Sequence, residues 1–238
     1  MELTSTSNPK VKYWQKLKER KYRKEEKLFI VEDAHLVNEA IKKNIVKEII
    51  TLNDDNYEVD TYKVTPQIMK LLSSQVSSTK IMAICYELDK QDVVGNVIVL
   101  DNLQDPGNLG TIIRSAVAFN FETIIMSDTC VDLYNPKVIR ASEGMIFNIN
   151  IKRCNLKEFL PTLKEKYKLV TTSVIDGKDI RNISYENIAI VIGNEGNGVS
   201  DEIANLCDEN VYIKMNESCE SLNAGVCASI LMYEVSHE

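Results

Sequence analysis

The sequence predicts an α/β protein whose second half is an open parallel sheet, with a smaller α/β unit ahead of it. Two observations carry this. In the second half, five short apolar, β-branched runs alternate with helix-length segments, the βαβα order of a parallel sheet covered on both faces. Those runs lack apolar–polar alternation, as strands buried on both sides do. Size agrees: 238 residues, 44% hydrophobic and 26% charged, suit one large domain or two modest ones.

In the first half, 27–32 (KLFIVE), 46–52, 61–64 and 80–87 read as strands. Residues 34–44 place Leu36, Val37, Ala40 and Ile41 on one helical stripe. Thr65 followed by Pro66 is an N-cap with proline at the first helical position, which opens a helix there. The polar stretch 88–95, ending in Gly95, reads as a linker, giving domains at 1–90 and 96–238. Beyond it, strands are expected at 97–101, 123–127, 168–173, 189–193 and 211–214. Helices are expected at 109–119, 136–144, 156–167, 199–206 and 221–236.

Composition removes several kinds of chemistry. Cysteines 85, 130, 154, 207, 219 and 227 are scattered with no C-x-x-C pair, so reduced thiols are expected rather than disulfides or a zinc site. The histidines are His35 and His237, too few for a Ser-His-Asp triad or a His-rich metal centre; no metal is expected. There is no apolar run long enough to span a membrane and no signal-like start, so the expected location is the cytoplasm.

Charge is uneven. Residues 1–27 hold nine Lys/Arg and four Asp/Glu, a local +5 in a chain of net charge −7. Lys10, Lys12, Arg20, Arg23 and their neighbours are interleaved with Tyr13, Trp14 and Tyr22. Cations with aromatics suit nucleic acid, where phosphates attract charge and bases stack on rings. A solvated helix face with Trp14 packed inward explains the same residues.

Three loops follow strand ends in the second half, where open α/β sheets bind ligands. In DNLQDPGNLGTIIRSA, Asn108 can cap the following helix, and Arg114 is placed to hold a phosphate. In GNEGNGVS, the glycines leave backbone N–H groups free to aim outward, while Glu195 argues for a neutral or cationic ligand over a phosphate. It is neither G-x-G-x-x-G nor a Walker loop. In YIKMNESCESLNAGVCASILMYEV, a buried helix is expected from Ser221, with Ser221 as a possible cap and Asn223 as a buried amide that can orient a ligand.

The segments DPGNLGTIIRSAVAFNF, VIGNEGNGVS and IKMNESCESLNAGVCASILMYE, in that order, resemble the three motifs of the SpoU (TrmH) family of RNA ribose 2′-O-methyltransferases, and RASEGMIFNIN resembles the stretch between the first two. The first half is similar to the small substrate-binding domain often fused in front, with Glu32-Asp33 where Glu-Gly is usual. The resemblance implies a SPOUT fold, an open parallel sheet with a C-terminal trefoil knot, preceded by a small α/β (L30e-like) RNA-binding domain. It implies S-adenosylmethionine as cofactor, contacted by Gly193, Ile213 and Leu222 with Thr172 close by. It implies RNA as partner, ribosomal RNA more than transfer RNA, and a homodimer whose interface includes the last helix. Arg114 would be the catalytic arginine, joined by Asn108, Glu195, Ser221 and Asn223; Lys10, Lys12, Arg20 and Arg23 would meet the substrate.

Arginine is a poor base, with a pKa above ~12, so its expected role is to hold the target phosphate and ease loss of the hydroxyl proton to a phosphate oxygen or water. One departure stands out: Asn223 is followed by Ala224 and Gly225 where Val-Ser is usual, which predicts looser packing of the last helix. A transfer-RNA methyltransferase and a non-catalytic RNA-binding assembly protein of the same fold remain alternatives.

Overall fold

The structure is a computed structural model that describes residues 1–75, 79–89, 92–173, 177–183, 187–216 and 218–236. Lys90 and Gln91 of the expected linker, and His237, lie outside the described residues. The chain divides into two compact units: residues 1–89 with 132–147, and 90–131 with 148–238.

The first unit runs β1 (Glu2–Leu3), α1 (Pro9–Lys16), α2 (Arg20–Glu26), β2 (Leu28–Glu32), α3 (Ala34–Lys42), β3 (Val46–Thr51), β4 (Asp60–Val64), α4 (Pro66–Leu72) and β5 (Ile81–Tyr86). Its sheet has the order β1-β4-β3-β5-β2, parallel at β1–β4–β3 and antiparallel at both edges of β5. Thr65 caps α4 as its sequence predicts, its hydroxyl accepting from the Ile68 N–H. Val11, Trp14 and Leu17 pack into a core with Ile30, Ile50, Tyr62, Ile68 and Ile84.

The second unit runs β6 (Asn96–Leu100), α5 (Pro106–Ala118) and β7 (Phe121–Ser127). After α6 (Pro136–Ala141), which belongs to the first unit, it continues with β8 (Asn150–Cys154), α7 (Leu156–Leu163), β9 (Lys168–Thr172), β10 (Lys178–Asp179), β11 (Ile188–Ile192), α8 (Asp201–Ala204), β12 (Glu209–Tyr212) and α9 (Ala224–Ser236). Every neighbouring pair in the sheet β10-β12-β9-β11-β6-β7-β8 is parallel. The central β6 and β11 are buried almost end to end, the reason for their unbroken apolar runs. Leu156, Leu160 and Leu163 of α7 cover one face over Val97, Val99 and Val191.

Three features differ from the sequence expectation. Edge strand β8 reads as a polar stretch because it is half-exposed throughout; Lys152 lies over the Phe159 ring, and the Arg153 guanidinium donates to the Ser127, Asp128, Cys130 and Val131 carbonyls. Residues 132–147, expected within the second domain, cluster with the first unit. There Tyr134 stacks on Phe29 at 4.3 Å and accepts from the Leu88 N–H at 3.0 Å, and Asp132 pairs with Arg23. Ring and ion-pair contacts outweigh chain adjacency here. Finally, α9 begins at Ala224, not Ser221.

Candidate functional site

The site grows from the C-terminal ends of β6, β9, β11 and β12. After β6 the chain turns through Asp101–Asp105 into α5. Pro106 sits at the first helical position, which fixes the cap one residue earlier: Asp105, not Asn108, caps α5, its Oδ1 accepting from the Asn108 N–H at 2.8 Å. Asn108 is inside the first turn and 7% exposed, so its side chain is free for other partners.

Those partners are the other two loops. Asn108 Nδ2 donates to Glu195 Oε1 at 3.1 Å, and Asn108 Oδ1 accepts from Asn223 Nδ2 at 2.8 Å. Asn223 Oδ1 in turn accepts from the Val226 N–H at 3.2 Å, capping α9. The polarity of the whole chain follows from one end. An ionised carboxylate only accepts, so Asn108 must present its NH2 to Glu195 and its oxygen to Asn223. Bonds spanning 87 and 115 positions of sequence thereby join the three residues into one unit.

Glu195 also accepts from the Asp105 N–H at 2.9 Å and the Gln104 N–H at 3.2 Å. Burial works to raise its pKa; the bonds from Asp105, Asn108, its own backbone and Gln104 outweigh burial and leave the carboxyl below its ordinary value. The group is held as a carboxylate.

The glycine loop spends its Asn194, Gly196, Asn197 and Gly198 N–H groups on itself rather than aiming them outward. Asn194 and Gly198 bond each other's backbones at 2.9 Å in both directions, and Asn194 Oδ1 accepts from the Gly196 and Asn197 N–H groups. The asparagine side chain closes the loop on itself, the local alternative this residue type offers a backbone. Gly193 allows that closure: a Cβ there would stand 2.0 Å from the Gly198 carbonyl carbon.

The loops enclose a cavity of about 400 Å³, within the range of small-molecule sites. Thr172, Gly193, Ile213 and Leu222 all line it, as do Glu195 and Ser221. Its wall carries two carboxylates, Glu195 and Glu220, and, among the described residues, no lysine or arginine. Apolar patches from Ile192, Met215 and Leu231 complete it. This lining suits a ligand with an apolar body and positive charge, and disfavours phosphates. S-adenosylmethionine fits that description.

Two expectations are corrected around α9. Asn223 is exposed rather than buried, being held at the loop surface by its capping role; Ser221 is exposed on the loop and caps nothing. Gly225 does not loosen the helix. It is buried where α9 crosses α5, and a Cβ would come within 3.2 Å of Thr111. One turn on, Ser229 Oγ meets Ser115 Oγ at 2.7 Å, and another turn on Tyr233 meets Phe119 edge to face at 5.7 Å.

Arg114 stands apart. It is exposed on α5, makes no hydrogen bond or ion pair among the described residues, and is not part of the cavity wall. Its guanidinium is open to an anion arriving from solvent.

Asn102, Gln104 and Asn194 are site residues that the sequence did not single out. Asn102 takes a left-handed φ of +56°, and its carbonyl accepts from both Gln104 Nε2 and Asn194 Nδ2. Gln104 Nε2 also donates to the Thr129 carbonyl at 2.9 Å. The one available signal was asparagine itself, which tolerates left-handed backbone next to a strand end.

In the first unit the four expected substrate residues separate. Lys10 Nζ bonds Glu48 Oε1 at 2.6 Å, and Arg23, 5% exposed, donates to the Leu17 and Lys18 carbonyls and to Asp132. Both are committed to internal partners and are withdrawn from an RNA face. Lys12 and Arg20 are exposed. Trp14 is fully buried, its Nε1 donating to Glu48 Oε2 at 2.7 Å, so it stacks on no base.

Comparison with known proteins adds the following. Residues 95–233 match the model of the SpoU rRNA methylase family, and residues 8–83 match an MRM3-like substrate-binding domain. The chain is 33% identical, over 98% of both chains, to the 23S rRNA (guanosine(2553)-2′-O)-methyltransferase RlmP of Bacillus subtilis. Its structure resembles the AdoMet-bound rRNA methyltransferase of Sinorhizobium meliloti with a TM-score of 0.89 and 25% identity, covering 98% of this chain and 96% of that one. It also resembles an RNA methyltransferase of the TrmH family, described as putative, from Porphyromonas gingivalis with a TM-score of 0.86 and 26% identity, covering 96% and 97%.

Proposed function

The chain belongs to the SpoU rRNA methylase family, and from that premise we propose that it transfers the methyl group of S-adenosylmethionine to a ribose 2′-hydroxyl of 23S ribosomal RNA. The observation that carries this reading is the cavity wall: among the described residues it has two carboxylates and no cation, and one carboxylate is tied through Asn108 to Asn223.

Bound there, S-adenosylmethionine supplies a methyl on a sulfonium centre. The residues of this chain supply the rest. Thr172, Gly193, Ile213 and Leu222 shape the cofactor pocket, and Ser221 lies on its rim. Glu195 keeps a negative charge at the wall and, with Asn108 and Asn223, locks the three loops in one register. Arg114 grips the phosphate next to the target ribose and lowers the cost of ionising its hydroxyl, with the proton passing to a phosphate oxygen or water. Holding the two reactants together can itself supply ~7–11 kcal/mol of the barrier. Lys12 and Arg20 remain as substrate contacts in the first unit.

The same reading includes a C-terminal trefoil knot in the span that ends in α9, a cytoplasmic location and a homodimer. No helix among the described residues is long and apolar enough to cross a membrane. For the dimer, Val226 and Tyr233 lie two turns apart on α9 and are 46% and 47% exposed, an apolar stripe that a second copy would cover.

The test is to map ribose methylation in 23S ribosomal RNA from cells lacking this protein against the parent. One lost site supports the assignment; an unchanged map overturns it.

A further inference from the structure

The nine cations of residues 1–27 fall into two groups. Lys10 and Arg23 are spent on Glu48, Asp132 and backbone carbonyls, and Lys18 Nζ donates to the Leu71 and Ser73 carbonyls. Lys12, Lys16, Arg20, Lys21, Lys24 and Lys27 are exposed, and none makes a hydrogen bond or ion pair through its side chain among the described residues.

Lys16 and Lys24 sit in the last turns of their helices, where a cation is favoured, but like charges crowd this segment. Lys12 and Lys16 are four apart on α1, and Arg20 and Lys24 four apart on α2, so each pair repels. Neither helix has an acidic residue in its first turn, so Lys12 on α1 faces the positive end of a helix dipole, as do Arg20 and Lys21 on α2 beside its N-cap Glu19. The repulsion between the paired cations is relieved beside a polyanion.

The aromatics of this segment are sorted by the fold as well. Trp14 is buried, and the Tyr13 hydroxyl is bound to Glu26 Oε2 at 2.9 Å. Tyr22 is half-exposed, and its ring has the ammonium groups of Lys16 and Lys21 at 5.4 and 5.7 Å from its centroid. Two cations gather at one ring where no carboxylate holds either.

We propose that the α1–α2 hairpin is a docking surface for an unpaired segment of RNA, with a base stacked on Tyr22 and the flanking phosphates held by Lys16, Lys21, Lys12, Arg20 and Lys24. The proposal rests on RNA being the substrate. Magnitudes decide the stacking. An exposed cation–π contact is worth about 2- to 5-fold in affinity, whereas a stacked base is worth about 5- to 150-fold. A base therefore displaces an ammonium from the ring, and the freed lysine moves to a phosphate. A paired helix has no free base to offer, so the surface prefers a loop or single strand.

The experiment measures binding of the full chain to two RNA oligonucleotides of matched length, one with an unpaired loop and one fully paired. The wild type is expected to prefer the unpaired RNA. Tyr22→Ala should weaken that RNA about 5- to 150-fold and erase the preference, while Tyr22→Phe and Tyr22→Trp retain both. S-adenosylmethionine affinity should be the same in all four proteins, which sets aside general unfolding. Lys16→Gln should instead flatten the salt dependence by about 0.7 in the log–log slope. Equal affinity of Tyr22→Ala and wild type for the unpaired RNA overturns the proposal. A wild type that binds the cofactor but neither RNA overturns the substrate reading beneath it.

Discussion

In the first unit, polar side chains are consumed singly by the fold. Glu48, 34 positions from Trp14, takes its indole N–H and the Lys10 ammonium, and Arg23 ends in three carbonyl and carboxylate contacts. In the second unit, short polar side chains on loops are consumed by one another, and the result is a site: Asn223, Asn108 and Glu195 pass hydrogen bonds in one direction along a line of three loops. The two arginines show the contrast most sharply. Arg23 is buried and fully engaged, whereas Arg114 is exposed and makes no hydrogen bond or ion pair among the described residues. A cation commits to function when folding leaves it without a partner.

That contrast can be broken first at the arginines. Arg23→Met leaves the Asp132 carboxylate and two carbonyls without their donor, and should cost about 3 kcal/mol of stability by denaturant unfolding. Arg114→Met should change stability by less than about 0.5 kcal/mol, as surface substitutions do, and still abolish methyl transfer. Equal stability losses in the two variants would erase the distinction between them.

Glu195→Ala comes next. It removes the acceptor of the Gln104 and Asp105 N–H groups and the Asn108 amide, and the charge at the cavity wall, so turnover should fall about 100-fold or more. Gly225→Val tests the close crossing of α5 and α9, where even a Cβ lies within 3.2 Å of Thr111; overpacking there should cost about 1–3 kcal/mol, read as a lower Tm. Asn108→Ala and Asn223→Ala should be non-additive in a double-mutant cycle on kcat/KM, with a coupling of about 1 kcal/mol, because the second substitution breaks a chain already broken. Additive effects would mean the two amides act separately.

The smallest effect is one of pH. The folded pKa of Glu195 is depressed, so its contribution to stability is present above its ordinary value of 4.5 and is lost as pH falls through the lower folded value. The Tm difference between wild type and Glu195→Gln should therefore hold from pH 8 down to 5 and shrink only in more acid solution.

Much of the second unit is legible in the sequence because its central strands are buried on both faces and its loops use residues with strong local preferences. The runs 97–101 and 189–193 coincide with β6 and β11 to within a residue. Residue type alone does not separate Asp105 from Asn108 as the cap of α5, because both are good caps and only Pro106 decides between them. Edge strand β8 gave no apolar signal because all five of its residues are partly exposed. In the basic segment, residue type alone could not separate Lys10 and Arg23 from Lys12 and Arg20. Their difference lies in partners 38 and 109 positions away, which no local pattern encodes. Packing of Gly225 on Thr111 is hidden for the same reason: a missing side chain reads as looseness until its neighbour is known.

The central claim is that methyl transfer reaches a ribose oxygen. The direct measurement is to incubate the protein with 23S ribosomal RNA and S-adenosylmethionine labelled in its methyl group, then digest the RNA in alkali. Label retained in alkali-stable dinucleotides is the predicted result, since a methylated 2′-oxygen blocks cleavage at that position; label appearing in mononucleotides would place the methyl group on a base and contradict the account.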